Sequence, residues 1–147
     1  VDILREKACR VILTPHLKEF SRLAGASLEE VRAGGAEFAR AFAAEYGVTL
    51  LLKSNACIVT NGKNTSLAAE GTPALARGGN GDVLAGIVCA LAARGVTAMR
   101  AAICGAHLLG RTGVLAEGES NEYSVTASDL IAKLPAAIAE LIAAGRG

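Results

Sequence analysis

Hydrophobic and polar positions follow two different periods along this chain, and together they predict alternating strands and helices. The segment RVILT, residues 10–14, is apolar enough for a short buried strand. A helical pattern follows it and closes at Gly25, a residue typical of helix C-caps. A longer helix is predicted over residues 28–46, because Ser27 and Glu30 form the spacing of a capping box before an amphipathic segment.

Three further strands are predicted in the middle of the chain. The segment VTLLLK, residues 48–53, is almost continuously apolar or β-branched, as expected for a strand covered on both faces. Residues 57–60 and 65–69 flank the segment NGKN, whose Asn-Gly pair is a strong hairpin signal.

Helices dominate the rest of the chain. One follows a glycine-rich stretch and ends at Arg94, and the next covers residues 98 to about 117. A last helix is expected after Thr126 or Ser128 as its cap, with Pro135 near a helix start. Because strands alternate with helices, we expect an α/β fold with few, mostly parallel strands flanked by helices. Three or four strands are few for a complete sheet, so the chain is expected to be part of a larger domain.

Composition narrows the classes of function. A net charge of +1 and an aromatic content of 3% argue against a nucleic-acid partner. The longest uncharged apolar run of the central stretch, residues 83–93, is too short to cross a bilayer, and the charged first residues do not resemble a signal peptide. No membrane partner is therefore expected. Four cysteines lie among apolar neighbours without a CxxC pair, which predicts buried reduced thiols in a cytoplasmic protein: Cys9, Cys57, Cys89 and Cys104.

The segment GGNGDVLAG carries the strongest chemical signal. Gly78, Gly79 and Gly81 surround Asn80 directly before a helix, so that successive backbone N–H groups and the helix dipole could hold a phosphate. Asp82 could then deprotonate a hydroxyl that attacks this phosphate. The same residues also fit a structural turn in which Asp82 merely caps the helix. The spacing matches neither a Walker A loop nor G-x-G-x-x-G, so the residues alone leave both interpretations open.

Four segments, in order, resemble the ADP- or ATP-dependent NAD(P)H-hydrate dehydratases of the ribokinase-like superfamily. GGNGDVLAGIVCAL is similar to their G-G-[TS]-G-D-x-L-x-G signature, and ILTPHLKEFSRL resembles a segment that usually reads T-P-H-P-G-E. LLLKSNACIVTNG is similar to L-K-G-A-x-T, and SVTASDLIAKLP to a closing A-S-D-L helix. The resemblance implies a three-layer ribokinase-like fold, of which residues 1–147 would form the C-terminal portion as one partial domain.

The function that this resemblance implies is the repair of nicotinamide nucleotides. The substrate would be NADH or NADPH hydrate, in which water has added across the C5–C6 bond of the ring. ADP or ATP, with Mg²⁺, would phosphorylate the C6 hydroxyl, and elimination of phosphate would restore the dihydronicotinamide. A homo-oligomer in the cytoplasm is expected.

The implied roles fall on three of the four segments. Asp82 would be the catalytic base and would also contact the substrate, together with His16. The backbone N–H groups of Gly79, Asn80 and Gly81 would form the anion hole, and no dedicated metal site is expected on the protein. The residues implied to bind the nucleotide are Lys53, Ser54, Asn55, Ala56, Cys57 and Gly81.

Two other interpretations are kept beside this one. A small-molecule kinase of the same fold, acting on a hydroxyethylthiazole or on hydroxymethylpyrimidine phosphate, would use the same Asp82 but leave the phosphate on its product. The segments TPH and LLLKSNACIV favour the dehydratase over this kinase. The third interpretation is an inactive nucleotide-binding half-domain that associates with copies of itself through uncovered apolar faces.

Overall fold

The sequence divides between two units in the computed structural model, which describes residues 1–54, 56–68 and 71–145. The first unit consists of Val1–Ala69 and Gly95–Ile103, and the second of Glu70–Arg94 and Cys104–Gly147. Each unit is described by itself.

The first unit holds a four-stranded sheet. Its strands are β1 (Ile12–Leu13), β2 (Thr49–Leu52), β3 (Cys57–Thr60) and β4 (Thr65–Ala68), in the order β1-β2-β3-β4. Strands β1 and β2 are parallel, whereas the pairs β2–β3 and β3–β4 are antiparallel. The expectation of mostly parallel strands is therefore wrong, and the sheet is mixed. The connections from β2 to β3 and from β3 to β4 are too short for the crossover that a parallel pair requires.

The predicted β3–β4 hairpin is confirmed, and a buried threonine organises its turn. Thr60 Oγ1 donates to the Asn64 carbonyl at 2.9 Å and accepts from the Gly62 N–H at 3.2 Å and the Thr65 hydroxyl at 3.0 Å. Asn61 Oδ1 accepts from the Asn64 N–H at 2.8 Å. These bonds hold the turn together internally, which fixes its backbone shape.

Two helices cover the sheet of the first unit. They are α1 (Leu17–Ala24), as predicted, and α2 (Leu28–Tyr46), which has the predicted bounds but is kinked at Gly35, where φ is 47°. Helix α2 packs against β2 and β3. The rings of Phe20 and Phe42 meet edge to face with their centroids 5.1 Å apart. Around this pair lies a core of fully or nearly fully buried side chains, namely Val31, Ala39, Ala43, Val48, Leu50 and Leu52.

The second unit is helical. Helix α3 (Asn80–Ala93) and helix α5 (Ala127–Ala144) belong to it, and α4 (Ala98–Glu119) enters it from Cys104 onward. The buried residues of this unit include Val83, Ile87, Leu108, Val125 and Leu130.

The last helix corrects one expectation and confirms another. Thr126 is its N-cap, as one of the two predicted candidates, and forms a capping box with Asp129. Pro135 lies well inside α5 rather than near a helix start. A proline there lacks the N–H that would bond to the carbonyl of Ile131, and both residues are exposed, so water can satisfy that carbonyl.

The prediction that all four cysteines are buried is wrong for two of them. All four are free thiols, but Cys9 and Cys89 are exposed, while Cys57 and Cys104 are partly buried. Cys9 precedes β1 in an irregular segment, and Cys89 lies off the face of α3 that Val83 and Ile87 bury. Within the described part of the chain, no helix has the length and apolar character needed to cross a membrane.

Substitution of Gly62 by alanine is expected to lower the free energy of unfolding by about 3 kcal/mol, through left-handed strain plus a clash. Gly62 has a φ of 85°, and an added Cβ would lie 2.5 Å from the Ala44 Cα. Gly25→Ala is the matched control, since Gly25 has a φ of 65° but open space around it. We expect it to cost about 1 kcal/mol. Chemical denaturation measures both variants. Equal losses of unfolding free energy in Gly62→Ala and Gly25→Ala would contradict the close packing of Gly62 against Ala44.

Candidate active site

His16 stands at the start of α1 and is held there by Glu19. Its Nδ1 accepts a hydrogen bond from the Glu19 N–H at 3.1 Å, while its own N–H donates to Glu19 Oε2 at 2.7 Å. This reciprocal pair is a capping box with histidine as the N-cap. Because Nδ1 is an acceptor, the ring proton resides on Nε2, which lies 3.2 Å from Glu19 Oε1. The imidazole is therefore fixed in orientation although its side chain is about half exposed.

Lys53 lies beside His16 at the carboxyl ends of β1 and β2. Its N–H donates to the Pro15 carbonyl at 2.8 Å, and it forms a parallel bridge with His16. Its Nζ lies 3.9 Å from Glu19 Oε2. The hydrogen bond from the His16 N–H lowers the pKa of Glu19, and the positive charge of Lys53 lowers it further. Glu19 is thus ionised and contacts both His16 and Lys53. These two residues were predicted to bind the hydrated substrate and the ADP or ATP, respectively.

The loop after Lys53 carries the other residues implied to bind the nucleotide. The Ser54 hydroxyl donates to the Ala56 carbonyl just before β3. Cys57 begins β3, and burial raises the pKa of its thiol, so that the group is a neutral, weak hydrogen-bond partner. Asn55 lies outside the described residues.

Glu19 is a residue of this candidate site that the sequence analysis did not select, although it contacts both His16 and Lys53. The spacing of Glu19 from His16 in the sequence could have identified this contact. Glu19 follows His16 by three residues, which is the capping-box distance, and it occupies the last position of the T-P-H-P-G-E pattern. Histidine is an unusual N-cap, so the capping box was not recognised from the sequence.

The glycine-rich stretch forms the start of α3 in the second unit. Gly79 is the N-cap, with a left-handed φ of 89°, and no side chain caps this helix. Its carbonyl accepts the N–H groups of Asp82 at 3.0 Å and Val83 at 3.2 Å. The N–H groups of Asn80 and Gly81 belong to the first turn, where an α-helix supplies no acceptor of its own.

Asn80 anchors this helix start from inside the unit. The residue is buried, with 3% of its surface exposed, and its Nδ2 donates to the carbonyls of Leu75 at 3.1 Å and Ala74 at 3.4 Å. Two carbonyl acceptors fix the amide orientation, because the reversed amide would place oxygen against oxygen. Its Oδ1 is also buried and has no hydrogen-bond partner among the described residues. The side chain thus joins the turn at Pro73–Leu75 to the first turn of α3.

Asp82 lies in the first turn of α3 with an exposed side chain. Its carboxylate forms no hydrogen bond or ion pair within the described part of the chain. The interpretation of Asp82 as the helix cap is therefore wrong, since the cap position belongs to Gly79. A carboxylate that is exposed and unpaired is free to act on a ligand.

The structure brings the predicted residues together in two groups, one in each unit. In the first unit His16, Lys53, Ser54, Ala56 and Cys57 share the edge of the sheet at which β1 and β2 end. In the second unit the predicted anion hole and the predicted base are consecutive at the start of α3.

Asn80→Ala is expected to lower the free energy of unfolding by about 2 kcal/mol, because two buried carbonyls lose their donor. Asn80→Asp retains the shape but places a carboxylate against those carbonyls, so a larger loss is expected at pH 7. The pKa of the new carboxyl would be raised in the folded state, and the penalty should therefore shrink as the pH falls towards 4. Chemical denaturation at the two pH values measures both effects. An Asn80→Asp variant as stable as the parent at pH 7 would contradict the assigned amide contacts.

Comparison with known proteins assigns these residues to a family. The family model described as NAD(P)H-hydrate dehydratase matches residues 2–136. The bifunctional NAD(P)H-hydrate repair enzyme Nnr of Hyperthermus butylicus is 40% identical over 133 residues, which are 88% of this chain and 24% of that protein.

Solved structures agree with the sequence match. The ADP/ATP-dependent NAD(P)H-hydrate dehydratase of Bacillus subtilis, co-crystallised with ATP and Mg²⁺, is 30% identical with a TM-score of 0.84, over 89% of this chain and 48% of that one. A ribokinase-like superfamily protein of Enterococcus faecalis is 27% identical with a TM-score of 0.75, over 88% of this chain and 44% of that one.

These likenesses confirm the expected ribokinase-like fold, and they show that the chain spans a quarter to a half of the length of these relatives. The family model covers most of the chain, including the TPH segment, the β2–β3 segment and the glycine-rich start of α3. The chain belongs to the NAD(P)H-hydrate dehydratase family.

Proposed function

We propose that residues 1–147 form the C-terminal part of a domain that dehydrates (S)-NAD(P)H hydrate at the expense of ADP or ATP. The observation that carries this proposal is the start of α3, where an uncapped helix N-terminus precedes an exposed, unpaired carboxylate by three residues. Helix N-termini favour anions. A carboxylate beside such an anion site is useful when it acts on the attacking hydroxyl rather than on the anion.

The proposed reaction has two steps. Asp82 accepts the proton of the C6 hydroxyl, whose oxygen attacks the terminal phosphorus of the nucleotide and displaces AMP or ADP. The N–H groups of Gly79, Asn80 and Gly81 stabilise the charge on the phosphoryl oxygens. The C6–O bond then breaks with its electron pair leaving on phosphate, the ring nitrogen donates its lone pair, and loss of the C5 proton restores the C5–C6 double bond.

The predicted site residues of the first unit would bind the substrate and the ADP or ATP. His16 would contact the hydrated nicotinamide nucleotide, and Glu19 would position the imidazole through the capping box. Lys53, Ser54, Asn55, Ala56 and Cys57 would bind the other nucleotide. A lysine that is paired loosely with Glu19, at 3.9 Å, keeps much of its charge available for a phosphate.

Mg²⁺ would enter with the nucleotide. Among the described residues no group of three or more His, Cys, Asp or Glu side chains lies together as a metal site. Mg²⁺ in such enzymes is held largely by substrate phosphates and water, and it neutralises phosphate charge when bound. We also propose that the whole protein is a cytoplasmic homo-oligomer, which the four free thiols and the exposed apolar side chains of α5 support, namely Ile131, Ile138, Leu141 and Ile142.

The family match favours the dehydratase over a thiazole or pyrimidine kinase. The inactive half-domain is a separate question, because a chain that spans about half of its structural relatives can retain the site residues without the activity. A longer polypeptide that spans the full length of these relatives is therefore tested beside the chain.

Asp82→Asn is expected to reduce dehydration of the hydrate by about 10³-fold, the usual contribution of a positioned general base. Recovery of NADH is followed by its absorbance with hydrate, Mg²⁺ and ADP or ATP, in the chain and in the longer polypeptide. Glu117→Gln, which removes a carboxylate from α4 in the same unit, is the matched control and should retain full activity.

Full activity of Asp82→Asn would overturn the role of Asp82. Phosphorylation of a hydroxyethylthiazole, with no recovery of NADH in the longer polypeptide, would assign the site to a kinase instead. Activity confined to the longer polypeptide would mean that this chain is an inactive half of a dehydratase.

A further inference from the structure

A pocket lies in the first unit, at the edge of the sheet where β1 and β2 begin. It has a volume of about 450 Å³, within the range of small-molecule sites. Thr49 at the start of β2, Asn61 and Asn64 of the hairpin turn, and Thr97 before α4 contribute to its wall. None of these residues belongs to the predicted catalytic or nucleotide-binding set.

The charge of this pocket is positive. Arg10 and Arg100 line it from opposite ends of the unit's sequence, and no acidic residue lines it among those that the structure describes. Both arginines are exposed, and neither has an ion-pair partner among the described residues. Guanidinium groups without carboxylate partners are the usual recognition elements for phosphate, to which they donate in pairs.

Neutral hydrogen-bond donors lie in the same pocket as the two arginines. Asn61 Oδ1 is occupied by the turn, where it accepts the Asn64 N–H, but its Nδ2 has no acceptor in the described part of the chain. The turn is held by Thr60, so the two asparagines are presented on a rigid support. The first turn of α4 also lines the pocket, through Ala98, Met99 and Arg100.

This pocket is separate from the edge at which His16 and Lys53 lie. Thr49 and Lys53 are four residues apart along β2, and four residues of extended strand span about 13 Å. One ligand group therefore cannot be shared between them.

We propose that this pocket binds a small phosphate-class oxyanion, independently of the proposed dehydratase site. Two unpaired arginines, neutral donors and the absence of a lining carboxylate favour an anion. None of the described residues that line the pocket is aromatic, which argues against a nucleobase and for the phosphate group alone or on a small ester.

Residue-resolved NMR titration of this chain with inorganic phosphate, at low ionic strength, tests the proposal. Saturable amide shifts are expected at Asn61, Asn64 and residues 97–100. Arg10→Gln and Arg100→Gln should each weaken this binding about tenfold, the loss expected for one charge-assisted contact. A parallel titration with glycerol 3-phosphate tells a free phosphate site from one that accepts an ester.

Arg32→Gln is the matched control, since it removes the same single charge from an exposed position outside the pocket, and it should bind phosphate as the parent does. Equal weakening in this control would reduce the effect to net charge and overturn the site. Shifts confined to residues 78–82, or no saturable shift at residues 61, 64 and 97–100, would also overturn it. Those outcomes leave the assignment of Asp82 unaffected, because the two sites share no residue.

Discussion

The unsatisfied first turn of α3 is the constraint on which this account depends. Every α-helix begins with N–H groups that lack an acceptor within the helix. Three helices of this chain meet that need with capping boxes, in which the N-caps are His16, Ser27 and Thr126. Helix α3 instead begins at left-handed Gly79 without a side-chain cap, and Asn80 directs its amide inward to the turn at Pro73–Leu75. The fold thus maintains a donor-rich helix end next to Asp82.

Features that depend on three or four neighbouring residues could be predicted from the sequence. The capping box of Ser27 and Glu30, the helix end at Gly25 and the Asn-Gly hairpin are all confirmed. Each is decided by a local hydrogen bond or a local φ, so its signal lies within a short window. The glycine-rich helix start is of the same kind, although its residues alone did not tell a phosphate site from a structural turn.

Features set by distant parts of the chain could not be predicted in this way. The mixed sheet follows from how β2 meets β3, and the exposure of Cys89 from which face of α3 is packed. The contact of Glu19 with Lys53 depends on the pairing of β1 with β2, because nothing in the local sequence brings Lys53 to α1. The arginine-lined pocket likewise joins Arg10 to Arg100 across the first unit.

The fate of the C6 oxygen tests the central claim most directly, because phosphorylation of that hydroxyl makes the oxygen leave with phosphate. NADH hydrate labelled with ¹⁸O at C6 would be turned over with ADP by the active form of the protein, and the inorganic phosphate examined by ³¹P NMR or mass spectrometry. The account predicts one ¹⁸O in each phosphate released. Label recovered in water, with unlabelled phosphate, would contradict it.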